Sequence, residues 1–461
     1  MNKPLPTAES QKAFSRRDAL KLGTAVTAFT IVPRHVLGGA GQTPPSERLN
    51  LAGIGAGGNM CRHNLAHFAE RKQNIVALAD PWDPSEWQGP AKEYHKKYYP
   101  DAKIYRDYRD LLDGEPGLDG VVVVTPDHWH AKITMDALRR GLATYTEKPL
   151  TRTISEARAL KAAAREAGVA TQMGNNGHAG DWIRKTCEYV WDDTLGPVQE
   201  VHAWTDRAGT YWPQGVGRPT TAAEVPAELD WELGWGPAAR RPYQEAYTRQ
   251  KWRGWVDFGA GALGDMGCHI LDPVYWSLKL GHPTSVEATT TVHPAAVRKE
   301  PFPTAAVITY RYPAREEMPP VRIIFYTGGL RAPRPEIFPV DYKLPTNGAI
   351  LIGSKGSMLA EFGQQPVLFP KSLAEQNPTP KQVLARGPDH WTDWVDAARG
   401  TGVTCGSNFD YASGLTEMVL LGTIAARVAE PLEWDGENMR FLNNDAANGM
   451  VHHEYENGWT L

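Results

Sequence analysis

Two stretches of the 461-residue chain carry side chains suited to moving protons. The first is Glu147-Lys148-Pro149-Leu150, directly after an apolar run. A lysine fixed between a buried strand and a proline, partly stripped of water, exchanges protons with a hydroxyl group. A solvated loop position is the commoner setting for any single lysine. The second is "GALGDMGCHILD", residues 261–272. Asp265 and His269 stand four apart, so a helix places them on one face. A carboxylate beside an imidazole orients the ring and stabilises its charged form. With Lys148, such a pair fits removal of a proton from a carbinol while hydride leaves its carbon. Taken alone, the motif is explained more simply by a capping Asp and a core His. The same spacing suits a metal poorly, having two ligands only, and none is expected.

A leaving hydride needs an acceptor, and "AGIGAGG", residues 52–58, offers a place for one. Gly53, Gly55 and Gly58 have the G-x-G-x-x-G spacing, with Gly57 beside them. Gly53 permits a tight turn, Gly55 lets backbone approach a pyrophosphate, and Gly58 lets helix and strand pack closely. A helix from Asn59 onward presents free N–H groups to phosphates. The context strengthens the motif: "NIVALAD" is an apolar strand ending at Asp80, 22 residues beyond Gly58. An acid there takes the adenosine ribose hydroxyls and repels a 2′-phosphate, favouring NAD over NADP. The plainer alternative is an Asp that caps the next turn.

The elements that must hold these groups follow from the pattern. Val121–Val124 is a β-branched run of the kind buried on both faces of a parallel sheet. "HAKITMDALRRG" has helical periodicity, "LATYTEKPL" begins as a strand, "ISEARALKAAAREAG" is a helix closed by Gly168, and "VATQMGN" is a strand again. This alternation predicts an α/β doubly wound (Rossmann) domain over 41–174. Functional residues then gather at strand carboxyl ends: Thr125 and His130, Glu147 and Lys148, and Asn175, Asn176 and His178. From 175 to 461 the pattern changes. "PVQEVHAWT", "TSVEATTTVHP", "TAAVITYRY" and "VRIIFYTG" alternate as strands of an open, mostly antiparallel sheet, giving an α+β domain. "HWTDWVDAARGTG" and "SGLTEMVLLGTIAARVAE" read as closing helices. Residues 206–255, rich in Pro and Trp, read as a substrate loop.

Composition excludes some partners. A net charge of −4 gives no support for nucleic acid or an anionic membrane. Four scattered cysteines contain no C-x-x-C pair, so no cysteine zinc site is expected. Sixteen Trp residues pack cores first, and can also stack on sugar rings. At the N-terminus, Arg16-Arg17, an apolar run over 22–32 and the small residues 38–40 follow one another in the order of an export signal, 1–40, too short to span a bilayer. "SRRDALK" resembles the twin-arginine motif, with Ala19 where that motif prefers Phe. This predicts a periplasmic or secreted protein without a membrane span in its mature form.

"GIGAGG", "TPDHWHA", "EKPL" and "GALGDMGCHILD", in this order, resemble the Gfo/Idh/MocA oxidoreductases, and the export signal resembles their secreted branch. The resemblance implies that Lys148 lies at the nicotinamide and transfers a proton, and that Asp265 and His269 flank the substrate. It implies that Glu147, Thr125 and Pro126 line the cofactor, with His130 and Asn175 near them. "QMGNNGHAG", "HAWTDRAGTYWPQG" and "KWRGWVDFG" resemble that branch's substrate loops, which makes His178, Trp212, Lys251 and Arg253 pocket candidates. It also implies a homodimer or homotetramer, the second subunit covering the open face of the second sheet.

The expected activity is NAD-dependent oxidation of a secondary hydroxyl of a sugar or glycoside, with C3 as one site. Free NAD is scarce outside the cytoplasm, and the twin-arginine route carries folded proteins, so the cofactor is expected to travel bound and be recycled in place. One alternative is redox-neutral glycoside cleavage by oxidation and elimination, against which the intact E-K-P stands. Another is a non-catalytic sugar-binding protein, against which the joint presence of the glycines, Asp80, Lys148, Asp265 and His269 stands.

Overall fold

The computed structural model describes residues 47–207, 211–291 and 299–461, with the backbone alone over 59–62. The expected export signal lies outside the described residues. Six parallel strands form the first sheet: β1 (Asn50–Ile54), β2 (Asn74–Ala79), β3 (Lys103–Tyr105), β4 (Gly120–Val123), β5 (Ala143–Thr146) and β6 (Thr171–Met173). Their order, β3-β2-β1-β4-β5-β6, reverses between β1 and β4, which opens a crevice at the strand carboxyl ends. The β-branched run explains why both faces are covered. Val121 and Val123 pack with Ala52, Ile54 and Ile133, while Val122 packs on the opposite face with Leu51, Leu65 and Tyr145. The helix Ile154–Ala167 begins where the Glu156 carboxylate accepts the Thr153 N–H and ends at Gly168, whose φ of 62° suits glycine.

The second sheet has nine strands: β7 (Val198–Trp204), β8 (Ser285–Thr290), β9 (Ala306–Tyr312), β10 (Val321–Tyr326), β11 (Gly348–Gly353), β12 (Ser357–Ala360), β13 (Val367–Phe369), β14 (Leu432–Asp435) and β15 (Arg440–Phe441). Every pairing is antiparallel except β7 with β10. Alternation in β9 and β10 turns Ile308, Tyr310, Ile323 and Phe325 toward the helix Phe409–Val428. That helix also packs on the helix Gly261–Ile270, where Gly267 leaves room for Val419. Leu150, Ile154 and Met173 join the same apolar cluster, so one core ties the β5–β6 side of the first sheet to the second.

Two expectations change. The helix His390–Ala398 does not close the second sheet: Trp394 and Val395 pack into the first, beside Phe68 and Tyr145. The open face of the second sheet is covered at one end by the chain's own Ala332, Phe338 and Tyr342. Its remainder carries ion pairs, Arg322 with Glu200 and Arg311 with Glu287, beside the part-exposed Val307 and Ile324.

Candidate active site

The crevice between β1 and β4 opens into a cleft of about 400 Å³, walled on one side by the strand ends and on the other by segments of 207–253 and by Asp265. Its floor is the glycine turn, and the glycines divide their work differently from the spacing argument. Gly55 makes the turn, with φ of 92°, and a Cβ there would lie 2.8 Å from Val124 O and Thr125 N. Gly53 is the packing glycine: a Cβ would meet the Leu65 side chain at 2.4 Å. Gly58 precedes the helix Asn59–Glu70, which has no side-chain cap and no acidic residue in its first turn. Its leading N–H groups are thus left for an anion. The Asn59 side chain lies outside the described residues.

Asp80 ends β2 and faces this turn. Its Oδ2 accepts the Gly57 N–H at 2.8 Å and its Oδ1 accepts the Trp82 N–H at 2.9 Å. One lone pair on each oxygen remains for a ribose diol. Burial pushes its pKa up to about 6, against the two N–H groups that stabilise its charge.

Deeper in the cleft stands a charged cluster. Lys148 Nζ donates to Asp265 Oδ1 at 2.8 Å and to the Asp265 carbonyl at 2.7 Å. Arg207 approaches the other Asp265 oxygen at 3.3 Å, and Arg253 lies 3.5 Å from Oδ1. Burial alone would raise the Asp265 pKa, but Lys148, Arg253 and Arg207 together hold it well below the usual carboxylate range. Asp127, at the start of the helix Asp127–Arg139, accepts the Ala260 N–H at 2.9 Å. Burial pushes its pKa up to about 7, in spite of Arg253 and Lys148. Glu147 is buried, accepts from Asn64 at 2.7 Å, and is also pushed up by burial. The Lys148–Pro149 peptide is cis.

Three residues of the cleft wall carry a buried polar atom without a partner among the described residues: Thr125 Oγ1, Trp212 Nε1 and Tyr247 OH, the last lying toward Arg241 and Glu300 rather than the cleft. Buried polar atoms of this kind call for a polar occupant. Tyr211 and Trp252 add aromatic faces, each lying under an arginine, Arg207 and Arg253 respectively. The glycine turn, free helix N-terminus, Asp80 and Thr125 therefore fit a dinucleotide, and the aromatic end fits a hydroxylated ring.

The structure brings together Gly55, Gly57, Gly58, Asp80, Thr125, Pro126, His130, Glu147, Lys148, Trp212, Arg253 and Asp265 at this cleft. His130 spans Thr125 O at 2.9 Å and Pro149 O at 2.8 Å, joining the β4 turn to the Lys148 loop. Four expected residues lie elsewhere. Asp265 does not orient His269, because the cations claim its oxygens. His269 instead packs on Phe362 at 5.0 Å, its Nδ1 is buried without a partner, and burial followed by the charge of Lys148 pushes its pKa down to about 3. Asn175 donates to Asp272 and accepts from Ser407, away from the cleft. His178 is buried on the same Asp272 at 3.1 Å and stacked on Trp276. Lys251 points outward to Glu245. Sequence reasoning passed over Asp127, Arg207 and Tyr247. Asp127 sat in the open, as the first carboxylate after a buried strand.

Two family models match the chain and together cover more than half of it. One is described as the oxidoreductase family NAD-binding Rossmann fold, over residues 49–175, and the other as the same family's C-terminal alpha/beta domain, over 200–315. The chain is 29% identical over 198 residues to scyllo-inositol 2-dehydrogenase (NADP(+)) of Bacillus subtilis, covering 43% of this chain and 45% of that one. It is 24% identical over 166 residues to levoglucosan dehydrogenase of Pseudarthrobacter phenanthrenivorans, covering 36% and 34%. The matches thus span less than half the length of either relative. In fold it is similar to an inositol dehydrogenase homolog of Azotobacter vinelandii solved with NADH and myo-inositol, with a TM-score of 0.51, 17% identity, and 84% and 98% of the two chains covered. The chain therefore belongs to the Gfo/Idh/MocA oxidoreductase family, with an NAD-binding Rossmann domain followed by that family's C-terminal α/β domain.

Proposed function

We propose that this chain oxidises a secondary ring hydroxyl of a sugar, glycoside or cyclic polyol with NAD, and that Lys148 exchanges the hydroxyl proton. The observation that carries the reading is the Lys148–Asp265 ion pair, set where the dinucleotide groove meets the aromatic end of the cleft. Bound there, NAD supplies the acceptor for hydride. The chain's residues do the rest. The helix start after Gly58 holds the pyrophosphate and Asp80 the adenosine ribose. Trp212 offers an N–H donor to the ring's substituents, and Trp252 offers a face for its C–H groups. Lys148 Nζ, steadied by two contacts to Asp265, keeps its third N–H for the substrate oxygen, and once that proton has passed to Asp127 the freed lone pair accepts the hydroxyl proton as hydride leaves. Asp127 is a nearby carboxyl poised around neutrality, suited to receiving a proton within the same cluster. Asp265, held ionised, keeps the cations in place and takes no proton.

Relatives named as inositol and levoglucosan dehydrogenases support the polyol or anhydrosugar class. The twin-arginine-like "SRRDALK" supports export with the cofactor already bound. The test is to purify the full chain from an exporting host, denature it and identify released nucleotide. NAD(H) near one per chain, with NADH fluorescence that responds to a sugar panel, is the expected result. A chain that neither releases nor binds NAD contradicts the reading.

A further inference from the structure

A second cavity, of about 260 Å³, shares the Gly259–Ala260 backbone as a wall with the active-site region, since the Ala260 N–H holds Asp127. It contains two arginines with too few partners. Arg427 stands in the last turn of the helix Phe409–Val428. Its Nε is buried and unpartnered, and it makes no ion pair among the described residues. Arg152 donates to Val256 O at 3.0 Å and meets His453 Nδ1 at 2.5 Å, yet its Nε is also buried without a partner. Burial, and then the like charge of Arg152, push the Arg427 pKa down to about 10. Asp257 acts on Arg427 from nearby but is paired with Arg241. Glu454 and Glu456 are exposed at the wall and form no ion pair with either arginine among the described residues. A helix C-terminus favours a cation only modestly, and does not account for a second one beside it. Both arginines are half-buried with a sealed, unpartnered Nε; like charges so placed without an anion are unfavourable, and guanidinium forks match tetrahedral oxyanions.

We propose that this cavity binds a small oxyanion of the phosphate or sulfate class between the guanidinium groups of Arg152 and Arg427. The reading stands apart from the redox chemistry, because none of these residues lines the first cleft.

The test is thermal denaturation of the full chain in phosphate-free buffer, titrated with inorganic phosphate or with sodium chloride at matched ionic strength. A saturable rise in Tm with phosphate alone is expected. Arg427→Met should weaken that response roughly tenfold or more. It should also melt no lower than wild type in the absence of anion, since it no longer buries an unpaired charge. Equal responses in wild type and Arg427→Met overturn the proposal, and they are what phosphate binding at the glycine turn would give. Should the variant fail to fold, wild-type crystals grown with selenate decide the matter. An anomalous peak between the two guanidiniums supports the site, and its absence at saturating selenate overturns it.

Discussion

Replacing Asp265 by Asn should destabilise the protein more than replacing Lys148 by Met, although the two side chains form one ion pair. Asp265 meets three cations, at 2.8, 3.3 and 3.5 Å, of which Arg207 alone has a second ion-pair partner among the described residues, Asp206 at 2.7 Å. At an effective dielectric of about 20, each contact is a gross attraction of roughly 5 kcal/mol. Lys148→Met removes one of three such terms and leaves Asp265 paired by Arg207 and Arg253. Asp265→Asn removes all three and strands Lys148 and Arg253, while Arg207 keeps Asp206. Breaking a buried pair so as to strand charge costs about 3–5 kcal/mol, so that range is expected for Asp265→Asn and roughly 1–2 kcal/mol for Lys148→Met. The sign with pH follows from the depressed Asp265 pKa. The wild-type advantage over Asp265→Asn is present above the unfolded value of about 3.9 and is lost as pH falls through the lower folded value. Urea unfolding followed by Trp fluorescence, at pH 7 and at pH 3, measures both. Lys148→Met should retain bound NAD while turnover falls about 10²–10⁴-fold. A Lys148→Met protein less stable than Asp265→Asn would refute the three-cation account.

Further outcomes follow from other groups. Asp80→Asn should weaken NAD binding by about 10–100-fold and narrow the preference over NADP, as judged by calorimetric titration with both nucleotides. Asp127, whose folded pKa of about 7 lies above the unfolded carboxylate value, should make the wild type lose stability relative to Asp127→Asn as pH rises from 4 to 7. No such divergence in paired pH–stability curves would remove Asp127 as the neutral carboxyl of the cleft. Trp212→Phe keeps an aromatic face but replaces the bicyclic indole and deletes its unpartnered N–H, so KM for the sugar should rise roughly tenfold with kcat little changed.

Local chemistry made much of this fold legible. The Val121–Val124 run, the Gly168 stop and the alternation of β9 and β10 each follow from short-range rules, and each stands in the structure. What the sequence hid was decided by distance along the chain. An i, i+4 spacing identifies a shared helix face but not the partner, and Asp265 found Lys148 117 residues away instead of His269. Glycine spacing located the turn but could not tell that Gly55, rather than Gly53, takes the positive φ. Strand β3, with only three residues and two of them exposed, has no pattern to read. His390–Ala398 has the apolar stripe of any closing helix, and only tertiary packing sends Trp394 to the first sheet. His178 and Asn175 do sit past a strand end, but Asp272 draws both inward.

The central claim is that a ring carbinol gives up its hydrogen to NAD in this cleft with Lys148 handling the proton. The direct measurement uses NAD-loaded full-length protein and a panel of sugars and cyclic polyols deuterated at their carbinol carbons, with the nucleotide released and weighed by mass spectrometry. The account predicts deuterium on the nicotinamide ring for at least one ring alcohol with wild type, and a rate of labelling cut by two or more orders of magnitude in Lys148→Met. Nucleotide that stays unlabelled across the panel, or labelling unchanged in Lys148→Met, would contradict it.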